Sequence, residues 1–147
     1  MTFHILDIIR GTTVDGPGFR TAIYLAGCPH RCRGCHNPQS HDPEAGTLMT
    51  LDQILDIVKE EDFNVTLTGG DPLYNPEAST LLARTIKEAG YSVWLYTGYT
   101  YEQILDTPRL RQILPWLEAI VDGPYMKERR NSDLKFRGSD NQRIIFL

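Results

Sequence analysis

Cysteine is scarce in this chain of 147 residues: there are three, Cys28, Cys32 and Cys35, all in one short stretch. An odd number so closely spaced excludes a closed disulfide framework, and a reducing compartment would keep these thiols free. Long apolar runs are also lacking. None approaches the ~18 residues of a membrane-spanning helix, so no membrane partner is expected. Nothing at the N-terminus has the charged and apolar segments of a secretion signal, and the expected location is cytoplasmic. Positive charge is not in excess either. A net charge of −4 argues against a general nucleic-acid binder. What remains is an ordinary globular composition, 41% hydrophobic and 23% charged. The length suits one domain, 1–147, burying about two-thirds of its unfolded surface.

The cysteines lie between Gly27 and Asn37 in the order Gly-Cys-Pro-His-Arg-Cys-Arg-Gly-Cys-His-Asn, a Cys-x3-Cys-x2-Cys arrangement. Three thiolates this close in sequence can converge on one metal centre without help from the rest of the fold. A Cys3His zinc site completed by His30 or His36 is one reading, but structural zinc sites usually split their ligands into two separated pairs. The spacing favours an iron–sulfur centre. A [4Fe–4S] cube held by four cysteines is coordinatively closed, whereas three ligands leave one iron free to bind something else. The missing fourth cysteine is therefore read as functional.

Along the chain, His4 to Arg10 reads as a short edge strand, and Asp15-Gly16-Pro17-Gly18 as a tight turn. Phe19 to Ala26 reads as a second strand that delivers the cysteine loop at its C-terminal end. A capping box, Thr50-x-x-Gln53, opens a helix with Leu51, Ile54, Leu55 and Val58 on one face. Val65 to Leu67 is a short buried strand running into Gly69-Gly70-Asp71-Pro72. Asn75-Pro76 starts a helix that Gly90 stops. Ser92 to Tyr96 is a strand, and Thr100-x-x-Gln103 caps a shorter helix. A further helical turn spans Pro108 to Leu114, and Glu118 to Val121 is the next strand. Arg143 to Leu147 closes the chain as an apolar strand. Between these last two, residues 123–141 have no regular period and carry five basic residues against three acidic, a net +2 that leaves −6 for the rest. A loop so long inside a compact domain is usually functional or disordered, and pinning at both ends argues against disorder. The βαβαβαβ order predicts an α/β fold with a mostly parallel sheet, too few strands to close an eight-stranded barrel, and hence an open, partial (βα) barrel.

Each parallel strand ends in something unusual: the cysteines, then Gly69-Gly70-Asp71, then Thr97-Gly98, then Asp122-Gly123. Sites gather at that end of parallel strands, and the glycines suit backbone that must approach a ligand closely. Gly-Gly-Asp alone is equally a turn into a helix; one βα unit after three cysteines it is more specific. Together, Cys28-x3-Cys32-x2-Cys35 and Gly69-Gly70-Asp71-Pro72 resemble the radical S-adenosylmethionine superfamily. Asp15-Gly16-Pro17-Gly18-x-Arg20 narrows the resemblance to activating enzymes of glycyl radical enzymes. Tyr96-Thr97-Gly98-Tyr99, Val121-Asp122-Gly123 and Arg137-Gly138-Ser139-x-Asn141-Gln142 are similar to the activating proteins of anaerobic (class III) ribonucleoside-triphosphate reductase.

That resemblance, from about Ile5 onward, implies a [4Fe–4S] cluster on Cys28, Cys32 and Cys35, whose open iron chelates S-adenosylmethionine. It implies reductive cleavage to a 5′-deoxyadenosyl radical that generates a glycyl radical on the reductase. Gly34, Cys35 and His36 are implied near the adenine. Gly69, Gly70 and Asp71 are implied to receive the methionine ammonium, and Thr97 and Asp122 to contact the cofactor. The implied partners are the reductase large subunit and a low-potential electron donor such as flavodoxin. No side chain is assigned as a general acid or base. Two departures from the wider superfamily, Gly34 where an aromatic is common and Asp71 where Glu is common, are shared by the class III activating proteins. Activation of another glycyl radical enzyme, such as pyruvate formate-lyase, remains an alternative, as does a non-catalytic zinc-binding adaptor. His4 and His41 are read as ordinary polar residues, while His30 is a candidate hydrogen-bond donor to a cluster sulfur.

Overall fold

The computed structural model describes residues 1–30, 32, 35 and 38–147. Its strands are β1 (Thr2–Thr12), β2 (Arg20–Leu25), β3 (Thr47–Thr50), β4 (Asn64–Gly69), β5 (Val93–Tyr96), β6 (Ala119–Asp122) and β7 (Arg143–Phe146). They form one sheet in the order β3-β1-β2-β4-β5-β6-β7. The four central strands, β2, β4, β5 and β6, run parallel. The flanks are antiparallel: β1 on β2, β3 on β1, and β7 on β6. The sheet is open, with β3 and β7 at its edges, as expected of a partial barrel.

Two features depart from the sequence reading. The first strand is not an edge, because β3 pairs outside it, Thr2 opposite Thr50 and Ile5 opposite Thr47. β3 escapes detection because it is four residues long with no residue fully buried and Leu48 57% exposed, so it has no alternation to read. Its last residue, Thr50, is also the N-cap of α1 (Leu51–Glu61), so strand and helix share the capping box.

Alternation along the central strands separates two faces. Val65 and Leu67 of β4, Val93 and Leu95 of β5 and Ile120 of β6 point to the helices. There they pack with Ile54 and Val58 of α1 and with Leu82 and Ile86 of α2 (Pro76–Glu88). Ile104 of α3 (Tyr101–Asp106) and Leu110 of α4 (Pro108–Arg111) extend this core. The opposite face carries Trp94, Ala119 and Val121, against which Tyr96, Phe136 and Ile144 pack. No helix covers it among the described residues. The turn before β2 and the loop between β6 and β7 lie over it instead, and between them runs a groove of about 620 Å³ bordered by Asp15, Tyr96, Lys135 and Arg137.

Both covering segments are fixed by specific bonds. Arg20 is 1% exposed; its Nε donates to Thr66 Oγ1 (2.9 Å), and its terminal nitrogens donate to the carbonyls of Val65 (2.8 Å) and Pro17 (3.3 Å). The guanidinium also lies over the Trp94 ring, 5.5 Å from its centroid. Thr66 Oγ1 donates onward to the Asp15 carbonyl at 2.6 Å and Tyr24 Oη donates to Asp15 Oδ2 at 3.2 Å, so the Asp15–Gly18 turn is tied to the sheet three times. The long loop is closed by Gln142, whose Oε1 accepts from the Gly138 and Ser139 N–H groups and whose Nε2 donates to the Gly123 carbonyl. Asn141 Nδ2 donates to the Pro124 carbonyl. The Gly-Ser-x-Asn-Gln run is thus the loop's internal brace, and Phe136, at a positive φ of 63°, packs edge-on against Trp94.

Candidate functional site

The cysteine loop leaves the C-terminal end of β2, as its sequence position requires. Gly27 N donates to the Ser40 carbonyl (2.8 Å), and Asp71 N donates back to the Gly27 carbonyl (2.7 Å), so the β2 and β4 ends are laced together. This lacing accounts for the glycines. A Cβ on Gly69 would enter the Leu25 backbone, and one on Gly70 would enter the Gly27 and Ser40 carbonyls. Their absent side chains admit neighbouring backbone, where the sequence reading expected a ligand.

Cys28, Cys32 and Cys35 border one hollow of about 130 Å³, together with Gly70, Thr97 and Gly98 from the next two strand ends. The three motifs therefore meet. Burial pushes the Cys28 thiol up to about 11, with further upward pressure from the Asp71 carboxylate and the other two thiols. Burial raises the Cys32 thiol as well. Burial favours the neutral thiol at Cys28 and Cys32, and together with Cys35 they are a donor set that gives up its protons on binding a metal cation. Among the described residues no three His, Cys, Asp or Glu side chains gather tightly enough for one metal ion. A cube does not demand that, since each cysteine binds its own iron. Two polar atoms of residues on the wall, His41 Nε2 and Tyr96 Oη, are buried without a partner among the described residues, which suits a hollow built around a polar occupant. The residues present fit a cluster.

The remaining candidates separate. Thr97 is 6% exposed and borders the hollow, with its hydroxyl bonded to Asp71 Oδ2 at 3.0 Å. Asp71 is 1% exposed: it borders a second hollow of about 150 Å³ beside Leu25, Pro72 and Tyr74, while its carboxylate bonds from behind to three residues of the cysteine hollow's wall, His30, Thr97 and Gly98. Asp122 is brought to the strand end but is fully engaged elsewhere. Its carboxylate accepts from Tyr101 N (2.8 Å) at the start of α3 and from Arg143 N (3.2 Å), Nε (3.1 Å) and a terminal nitrogen. Gly34 and His36 lie outside the described residues. His30 Nε2 meets Asp71 Oδ2 at 2.7 Å, so that nitrogen is directed at a carboxylate, not a sulfur.

Sequence reasoning missed His41 and Tyr96. The sequence reads His41 as an ordinary polar residue, whereas its place on the cysteine hollow follows from the turn at Pro38–His41, for which no periodic signal exists. Tyr96 borders both the hollow and the large groove, so it is the wall the two share. Its position at the last residue of β5, next to Thr97-Gly98, is the signal that could have found it.

Comparison with known proteins gives the family. Residues 14–145 match the family model described as a 4Fe-4S single cluster domain. An anaerobic ribonucleoside-triphosphate reductase-activating protein of Enterobacteria phage T4 is 36% identical over 139 residues, covering 89% of this chain and 86% of its own. Proteins of the same name from Pasteurella multocida and Escherichia coli K12 are 35% and 30% identical over 144 residues, covering 89% and 91% of this chain. Among solved structures, QueE from Escherichia coli superposes with a TM-score of 0.56 at 18% identity, over 68% of this chain and 54% of its own, a likeness of fold alone. The chain belongs to the 4Fe–4S family of anaerobic ribonucleoside-triphosphate reductase-activating proteins.

Proposed function

We propose that this chain binds one [4Fe–4S] cluster on Cys28, Cys32 and Cys35, holds S-adenosylmethionine against it, and generates a glycyl radical on an anaerobic ribonucleoside-triphosphate reductase. The observation that carries the reading is that the sequence's three cysteines border one hollow with Gly70 and with Thr97-Gly98 of the next two strand ends. When bound, the cluster supplies the electron that breaks a carbon–sulfur bond of S-adenosylmethionine, and the resulting radical takes a hydrogen atom from a glycine.

The protein's part is positional. The thiolates fix the cluster at the mouth of β2. Main-chain groups of Gly69, Gly70 and Asp71 receive the methionine ammonium, a cation whose three donors need oxygen acceptors, and Thr97 closes the wall beside them. Gly34, Cys35 and His36 are assigned to the adenine side by family likeness. The hollow alone is smaller than the ~300–1,000 Å³ of a typical small-molecule pocket, whereas the groove beyond Tyr96 lies within it. That groove is the entry for the reductase's glycine-bearing segment, and its lip carries Lys135 and Arg137. The electron comes from a low-potential donor of the flavodoxin kind, and the setting is the cytoplasm. The carboxylate of Asp122, bonded to Arg143 and Tyr101, is assigned to holding β6, β7 and α3 together instead of touching the cofactor.

The test is anaerobic reconstitution followed by iron and sulfide analysis, S-adenosylmethionine cleavage under a strong reductant, and electron paramagnetic resonance of the reductase glycyl radical. Four irons and four sulfides per chain with cleavage are expected. One zinc, no chromophore and no cleavage would refute it.

A further inference from the structure

Asp71 sits where the resemblance places an acceptor for the ammonium, yet its side chain is committed within the protein. Oδ1 accepts from Leu73 N at 2.9 Å, capping the turn at Pro72–Tyr74. Oδ2 accepts from Thr97 Oγ1 at 3.0 Å and from Gly98 N at 2.9 Å, and lies 2.7 Å from His30 Nε2. A carboxylate accepts only, so the proton between them belongs to Nε2. Three donors therefore crowd Oδ2 and one holds Oδ1. With 1% exposure, the carboxylate presents no open face to a ligand in the hollow.

His30 is the unusual partner. It lies inside the cysteine loop, between Cys28 and Cys32, and its carbonyl accepts from Cys28 Sγ at 3.5 Å. Its ring meets Tyr99 edge-on, with centroids 4.5 Å apart. It also lies so close to Gly98 that a Cβ there would strike the imidazole. Glycine at 98 is thus required by the histidine. The ring is gripped by Asp71 from β4's end and by Gly98 and Tyr99 from β5's.

Resting on the function proposed above, we infer that Asp71 is a positioning residue that clasps the cysteine loop through His30 and does not bind the S-adenosylmethionine ammonium with its side chain. The clasp fixes His30, between Cys28 and Cys32, before the cluster arrives and slows the cluster's loss afterwards. The ammonium is left to main-chain acceptors.

The test compares wild type with Asp71→Asn, His30→Phe, His30→Gln and the Asp71→Asn/His30→Phe double variant. Phenylalanine keeps the ring against Tyr99 and removes the bond; glutamine restores an N–H. In the metal-free protein, with 15N-labelled histidine, the His30 Nε2 proton should give a slowly exchanging downfield signal that Asp71→Asn abolishes. After reconstitution, Asp71→Asn and His30→Phe should each speed iron loss to a chelator about ten-fold, the scale of one charge-assisted hydrogen bond. The double variant should be no faster than Asp71→Asn, and His30→Gln should recover part of the loss. S-adenosylmethionine affinity of the cluster-loaded fraction should stay within about three-fold, well short of the roughly ten-fold that a lost charge-assisted bond costs. Ten-fold weaker S-adenosylmethionine binding in Asp71→Asn with unchanged iron retention overturns the inference, as does additive iron loss in the double variant. A wild type that assembles no cluster refutes the proposed function instead, and the imidazole signal still decides the clasp.

Discussion

Replacing Asp122 by alanine discriminates between a cofactor contact and a structural hub. Asp122 is 1% exposed, and its carboxylate gathers Tyr101 N, Arg143 N and the Arg143 guanidinium. It thereby joins the end of β6 to the start of α3 and to β7. Removing one partner of a buried ion pair costs ~3–5 kcal/mol when the other charge stays buried. Arg143 is not in that position: its side chain is 49% exposed and keeps Glu102 at 2.7 Å. The surviving cost is that of two main-chain N–H groups deprived of a charged acceptor, each roughly 1.5–3 kcal/mol if fully buried. Water reaching the exposed side of Arg143 reduces the total to about 2–3 kcal/mol. At ~2–4 °C per kcal/mol for a chain of this size, thermal unfolding of the metal-free protein should drop by about 4–12 °C. Asp122→Asn, which keeps one acceptor, should lose about half as much. Reconstituted Asp122→Ala, assayed below its melting point, should bind S-adenosylmethionine like wild type. An unshifted melting temperature accompanied by ten-fold weaker cofactor binding would refute the structural assignment.

Three further outcomes are expected. Alanine at Cys28, Cys32 or Cys35 should abolish the cluster's iron and visible absorption while far-ultraviolet circular dichroism stays native, because the helix-side core does not include the loop; a variant that retained full iron would exclude that cysteine as a ligand. Burial holds the Asp15 carboxyl above its ordinary range despite bonds from Tyr24 and Thr12 that pull it down. Its folded-state pKa therefore exceeds the unfolded one, its contribution is most favourable in acid, and it is lost as pH rises through the folded value. Asp15→Asn should accordingly gain on wild type in urea unfolding between about pH 4 and pH 7, and a constant difference across that range would contradict the sign. Finally, Lys127→Glu, Arg130→Glu and Lys135→Glu together should leave S-adenosylmethionine cleavage intact while the glycyl radical yield on the reductase falls and becomes more salt-sensitive. Arg129 is spared because it is paired with Asp140; an unchanged yield would leave the loop a solvated surface.

Much of the frame was legible because local signals agreed with the tertiary outcome. Both capping boxes form as written: Thr50 with Gln53, and Thr100 with Gln103. The parallel strands were found because each is a short apolar run ended by glycine or a polar turn, a pattern that survives burial on both faces. β3 and the true place of β1 were not legible, since pairing partners leave no mark on a strand's own pattern. The site was legible as a set of positions, and the three motifs do share one hollow. What individual side chains do there was not. Asp71 and Asp122 are chemically identical and both stand beside a glycine at a strand end. Only their neighbours, His30 and Thr97 for one and Arg143 and Tyr101 for the other, decide where their oxygens point.

Those two aspartates also say how the electrostatics of the hollow are arranged. Three thiolates at one strand end would repel one another, and a free carboxylate among them would add to the repulsion; the Cys28 thiol already feels Asp71 as an upward pressure. Each acid is instead neutralised or saturated by donors from its own strand ends: Asp122 by a guanidinium and main-chain N–H groups, Asp71 by a hydroxyl, an imidazole N–H and two main-chain N–H groups. The lining left for a ligand includes sulfur, glycine backbone and neutral polar side chains such as Thr97 and Gln142, with no aspartate or glutamate among the described residues. Such a lining can take up a cationic sulfonium and ammonium next to an anionic cluster without a competing side-chain carboxylate. On this reading the acids hold the strand ends still, and the backbone and sulfurs they hold do the binding.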